Sequence, residues 1–156
     1  MRELTWKRPF IHTVEGVLSP KECTALIARI EALGPADAPV TTRHGFVMRP
    51  DIRNNTRVMF DDVPLAALLF ARVRSVIPDE VEGLAPVGAN ERLRCYRYAP
   101  GQYFKPHFDG AFVRGPDERS LLTLMVYLND PPEGGETCFL DAEVTVKPRT
   151  GMALLF

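Results

Sequence analysis

A chain of 156 residues, 46% hydrophobic and 25% charged, is long enough to bury one core and has the balance of a soluble globular domain. Its net charge of −1 and pI near 6.3 leave no electrostatic footprint for a nucleic acid or an anionic membrane. Its three cysteines, Cys23, Cys95 and Cys138, form no CxxC pair, which argues against a thiolate zinc site or a disulfide scaffold. The first residues, MRELTWKRPFIHTVEG, lack the apolar run of a signal peptide, and no stretch has the length of a membrane span. The expectation is a cytoplasmic protein without a nucleic-acid or membrane partner.

In chain order, PFIHTVEGVL (9–18) reads as a short strand and turn. Ser19-Pro20-Lys21-Glu22 then starts a helix, with Ser19 as cap, Pro20 at the first helical position and Glu22 three residues after the cap. Leu26, Ile27, Ile30 and Leu33 form its apolar stripe, and Gly34-Pro35 ends it. Residues 35–55 are rich in Gly, Pro and Asn and read as a long loop holding a short hairpin; loops of this length are often lids. TRVMF (56–60) is strand-like. A second helix is expected from Pro64, with Leu65, Leu68, Leu69, Val73, Val76 and Ile77 on its apolar face.

From Glu91 the texture turns to β. Six strand runs are expected, at 91–98, 103–109, 120–128, 136–140, 143–147 and 152–156. SLLTLMVYLN (120–129) is almost continuously apolar and reads as a central strand or one covered on both faces. Two helices followed by many short strands imply an α+β domain with helices packed on a β-sandwich or barrel.

His107-Phe108-Asp109 is the chemical pattern that stands out. In extended backbone, residues two apart share a face, so His107 and Asp109 converge while Phe108 turns away. A nitrogen and a carboxylate oxygen suit Fe(II) or another first-row divalent metal, and a further histidine would complete a facial triad for oxygen activation. The plain alternative is a surface turn with a capping aspartate.

The surroundings of the pair carry a resemblance. Tyr98, the Pro100-Gly101 turn, Gln102, Phe104, His107 and Asp109 are followed by Leu122-Thr123 with Tyr127-Leu128-Asn129, then Glu133-Gly134-Gly135-Glu136-Thr137 with Phe139. These three blocks, in this order, resemble the prolyl-4-hydroxylase-like branch of the 2-oxoglutarate and Fe(II)-dependent dioxygenases. The resemblance implies a double-stranded β-helix (jelly-roll) core with N-terminal helices packed on one sheet. It implies one oxygenase domain over 1–156, with helices, strands and lid loop in 1–90 and the β-helix core in 91–156. It makes His107 and Asp109 iron ligands. Tyr98, Thr123, Met125 and Tyr127 become 2-oxoglutarate-pocket residues, with Tyr127 bonding the far carboxylate. Cofactors would be Fe(II) and 2-oxoglutarate, with ascorbate as a candidate. The reaction would oxidise 2-oxoglutarate to succinate and carbon dioxide while hydroxylating a prolyl residue of a protein or peptide. Read without the resemblance, the tyrosine and threonine hydroxyls are ordinary core groups bonded to backbone.

The family pattern continues past the strand MALLF (152–156) to a distal histidine and then a carboxylate-binding Arg or Lys, and the resemblance finds neither of these two residues within the 156. His12 and His44 lie upstream; His12 reads as a partly exposed strand residue, and His44, in the lid, is the one candidate to approach the site. A β-helix of about eight strands would then lack its last strands and leave unpaired edges. The rival readings are a catalytically dead fragment or binding module on the same scaffold, a nucleic-acid oxidative demethylase, and a cupin-type metal protein. The arginines of the loop 40–57 (Arg43, Arg49, Arg53, Arg57) either fold over a peptide or lie solvated.

Overall fold

The computed structural model describes residues 9–42 and 45–156. After the short strand β1 (His12–Val14), helix α1 (Pro20–Ala32) starts where expected. Ser19 Oγ accepts from the Glu22 backbone N–H at 3.3 Å, and Glu22 accepts from the Ser19 N–H at 2.8 Å, closing a capping box. Gly34 follows the last turn with φ +70°, a conformation that suits glycine. The loop folds into β2 (Ala36–Asp37) and a hairpin of β3 (Val40–Thr42) and β4 (Gly45–Val47). Strand β5 (Thr56–Asp61) leads into α2 (Val63–Val73), capped by Asp62, whose carboxylate accepts the Leu65 N–H at 2.9 Å. The helix ends at Val73, short of the expected Ile77, but Ile77 still reaches the core.

The remaining strands are β6 (Arg92–Arg97), β7 (Val113–Gly115), β8 (Glu118–Arg119), β9 (Leu124–Val126), β10 (Thr137–Phe139), β11 (Val144–Val146) and β12 (Ala153–Leu155). Sheet order runs β2-β5-β6 and β1-β12-β9, with β10-β11 and β7-β8 as separate pairs. Both three-stranded sheets join strands from before and after residue 90, so the two halves of the chain are interleaved rather than stacked.

The sheet β1-β12-β9 separates two apolar clusters. On one face Ala153 and Leu155 meet Val17, Leu18 and Cys23 with Leu69, Val73 and Ile77 from the second helical segment, and Leu122, Leu124 and Val126 pack against this cluster. On the other face Met152 and Leu154 meet Val146, with Ile11, Met125, Tyr127, Phe139 and Phe156 around them. Burying a side chain such as Leu155 stabilises by roughly 1.5–3 kcal/mol. Ties between the helices reinforce the first layer. Arg72 donates to Glu22 at 2.9 Å and to the Val17 carbonyl at 2.8 Å, and Arg29 donates to Asp62 at 2.5 Å.

Two expectations change. Residues 103–109 are not a strand; only Phe104 forms an isolated bridge, to Arg53. The run 120–129 is regular only over Leu124–Val126, and β9 is the edge of its sheet rather than its centre; the other expected alternative holds, since Leu124 and Val126 pack on one cluster and Met125 and Tyr127 on the other. The central strand is β12, flanked by β1 and β9, which form the two edges of this sheet. Tertiary position decides this: the Met152–Leu155 run is 0–3% exposed, whereas every residue of β9 is half-buried.

Candidate metal centre

His107 and Asp109 lie in irregular backbone, yet their side chains converge. His107 Nε2 is 3.5 Å from Asp109 Oδ1, and Phe108 points away, 94% exposed. The convergence expected from strand geometry is therefore present without the strand. Hydrogen bonds from neighbouring segments hold this backbone instead. Lys105 N–H donates to the Ile52 carbonyl at 2.9 Å, Asn54 N–H to the Tyr103 carbonyl at 3.2 Å, and Tyr103 N–H to Asn54 Oδ1 at 2.8 Å.

Each member of the pair has a second partner. His107 Nδ1 lies 2.8 Å from the Lys105 carbonyl oxygen, which can only accept; Nδ1 therefore carries a proton, and Nε2 faces Asp109. Thr123 Oγ1 donates to the other carboxylate oxygen, Asp109 Oδ2, at 2.7 Å. Metal ligands are oriented in this way, by outer partners that fix tautomer and lone-pair direction. Two ligands at right angles on one ion, each about 2.1 Å from it, are separated by about 3 Å. The 3.5 Å gap therefore needs only a small closure. Electrostatics agree: Asp109 raises the His107 imidazole pKa, and His107, helped by Thr123, lowers that of the carboxyl. A divalent cation competes with a proton for the same position. The pair fits a metal by its donor set. Among the described residues no group of three or more His, Cys, Asp or Glu side chains gathers to hold an ion. His12 lies exposed on β1, and His44, like Arg43, falls outside the described residues.

Thr123, Met125 and Tyr127 share one face through period-2 geometry, as expected. Their ladder runs beyond β9: Thr123 N–H donates to the Phe156 carbonyl at 2.7 Å, and Tyr127 N–H to that of Met152 at 2.9 Å. The Tyr127 hydroxyl lies 2.7 Å from Thr137 Oγ1, and burial raises the phenol's pKa. Tyr98, just past β6, is 48% exposed by surface, and its phenol pKa is likewise raised by burial.

Sequence reasoning did not single out Thr137 or the roles of Arg53 and Phe104. Thr137 stands in the EGGET block that carries the resemblance, with no role of its own there. Arg53 was one of four arginines in a loop with no periodicity to mark it as buried. The structure makes it 3% exposed, with Nε donating to Asn55 Oδ1 at 2.9 Å and Nη2 left without a hydrogen-bond partner. A buried, unsatisfied donor costs about 1–3 kcal/mol.

The arrangement is a carboxylate–imidazole pair whose donor set suits a divalent metal, and comparison with known proteins says what the chain resembles. Residues 93–156 match the model of the 2OG-Fe(II) oxygenase superfamily. Prolyl 4-hydroxylase 1 of Arabidopsis thaliana is 27% identical over 169 residues, covering 98% of this chain and 59% of that protein. Probable prolyl 4-hydroxylase 11 of the same plant is 41% identical over 78 residues, covering 46% of this chain and 26% of that one. Among solved structures, the viral collagen prolyl hydroxylase of Paramecium Bursaria Chlorella virus-1, in complex with 2OG, superposes with TM-score 0.65 at 25% identity, covering 95% of this chain and 77% of that one. The chain thus spans less than two thirds of the length of these two curated relatives. Over residues 93–156 the chain resembles the 2OG-Fe(II) oxygenase superfamily, and over nearly its whole length it is similar in sequence and in fold to prolyl hydroxylases. No helix among the described residues is long and apolar enough to cross a membrane.

Proposed function

We propose that this chain is a single oxygenase domain, built on a double-stranded β-helix, that holds Fe(II) and 2-oxoglutarate and hydroxylates a prolyl residue of a protein or peptide. The observation that carries the reading is the His107–Asp109 convergence at 3.5 Å, with each side chain held by an outer partner. When bound, iron and 2-oxoglutarate supply the oxygen chemistry, with ascorbate as candidate accessory reductant. The chain's own residues bind, orient and shield. His107 Nε2 and Asp109 Oδ1 are the ligands. The Lys105 carbonyl keeps the imidazole in the ligating tautomer, and Thr123 turns the carboxylate. Tyr127, with Thr137, offers hydroxyls to the far carboxylate of 2-oxoglutarate; Tyr98 borders the same pocket, and Met125 supplies an apolar wall that limits water.

The hairpin β3–β4 is the proposed peptide-facing part of the lid. Phe46 (68% exposed), Val47 and Met48 present apolar surface, and Arg57 lies over the Phe46 ring at 5.7 Å. A cytoplasmic site suits the three thiols, all free. The test is Mn(II) or Fe(II) binding by the full chain, with and without 2-oxoglutarate, beside His107→Ala. One bound metal per chain, lost in the variant, followed by succinate formation stimulated by a proline-rich peptide, is the expected result. Equal metal binding by the wild type and the variant would sink the reading.

A further inference from the structure

Arg53 lies almost wholly buried in a segment that belongs to no helix or regular strand. A guanidinium has five N–H donors to satisfy. Besides the bond from Nε to Asn55, itself fully buried, and an interaction with the Tyr98 hydroxyl, its surroundings are aromatic. Its Cζ is 4.0 Å from the Phe104 ring centroid and 4.6 Å from that of Tyr96. Phe104 in turn stacks on the His107 imidazole, with centroids 3.6 Å apart and planes 16° from parallel. The backbone repeats the link, since Arg53 and Phe104 are bridge partners flanked by the Ile52–Lys105 and Asn54–Tyr103 hydrogen bonds. Stability alone gives no reason for this choice. An apolar side chain of similar volume would fill the space without desolvating a charge or stranding the Nη2 donor.

We propose that Arg53 is the positioning residue of the His107 imidazole and acts through the Phe104 ring. The hydrogen bond to Lys105 fixes which nitrogen of His107 carries the proton but leaves the ring free to tilt about that bond. The Phe104 plate limits the tilt. A planar guanidinium lies flat on an aromatic face and holds the plate where it is; a lysine ammonium has no plane with which to do so. The inference rests on the reading of His107 as a ligand and adds the source of its orientation.

Two readouts on the full chain test it, one of them independent of metal. In the metal-free protein, ring current from Phe104 should move the His107 Hδ2 and Hε1 proton resonances upfield. The wild type and Phe104→Tyr are expected to show that displacement, while Phe104→Leu and Arg53→Lys lose it. Co(II) affinity should fall about 10–100-fold in Arg53→Lys, the range for outer-shell partners. The double variant Arg53→Lys/Phe104→Leu should be no weaker than the worse single one, since both act through one ring. Unchanged His107 resonances in an Arg53→Lys protein that melts like the wild type would overturn the proposal. If that variant does not fold, the ring-flip rate of Phe104 in the wild type decides: distinct resonances for its two edges support a held plate, and fast averaging overturns it. A wild-type chain that binds no Co(II) would remove the oxygenase reading, and the ring-current comparison would still decide whether Arg53 positions His107.

Discussion

The two faces of the sheet β1-β12-β9 are made by alternate residues of the same strands and serve different ends. On the helix face, Ala153 and Leu155 are 0% and 1% exposed, covered by two helices that are tied to each other by arginine–carboxylate pairs. On the opposite face, Met152 and Leu154 are as deeply buried, but the positions beside them on the neighbouring strand carry Thr123 and Tyr127, whose hydroxyls reach Asp109 and Thr137. One face is covered by helices, and the other carries hydroxyls that meet Asp109 and Thr137. The difference teaches that one strand can serve a packed layer with one set of side chains and a polar cluster with the alternate set.

The comparison is broken most severely where the two layers are stitched. Gly151 has φ +79°, its N–H donates to the Tyr127 carbonyl at 2.8 Å, and a Cβ added there would collide with the Leu18 carbonyl oxygen. Gly151→Ala should cost more than about 4 kcal/mol, enough to abolish two-state folding at 37 °C, as checked by denaturant unfolding. Leu155→Ala, confined to the helix face, should cost about 2–5 kcal/mol, with metal affinity retained in the folded fraction. If stability and metal affinity fall in proportion, the two faces are not separable.

Substitutions on the open face should show the converse. Thr123→Val removes the donor to Asp109 Oδ2 while nearly preserving shape; it should weaken Mn(II) binding about 10-fold or more with little change in melting temperature. The smallest effect belongs to the tie between the helices. Glu22 has its pKa lowered from 4.5 to about 2, first by the Arg72 hydrogen bond and then by Ser19. A carboxyl lowered on folding contributes stability that is fully present above its unfolded value and lost as pH falls through the folded one. Between pH 4.5 and 2 the wild type should therefore lose stability that Glu22→Gln does not have to lose. Parallel acid-unfolding curves for the two proteins would show that this tie contributes nothing.

Local chemistry made much of this legible without coordinates. The capping box at Ser19 and Glu22 acts within one helical turn, so no distant residue had to be known. The same holds for the hairpin inside 35–55, and for Thr123, Met125 and Tyr127 on one face of a strand. His107 and Asp109 are only two residues apart, so their side chains meet even though the backbone between them is irregular. What the sequence could not express were partnerships between distant segments. Residues 103–109 read as a strand, but their support comes from single hydrogen bonds to residues 52–54 that leave no periodic trace. Nothing in Met152–Phe156 distinguishes a central strand from an edge; the pairing of β12 with both β1 and β9 decides it, because burial depends on what lies on either side. Arg53 is the sharpest case. Its residue type predicts exposure, and only the enclosing Tyr96 and Phe104 rings, brought from more than forty residues away in the chain, make its burial tolerable.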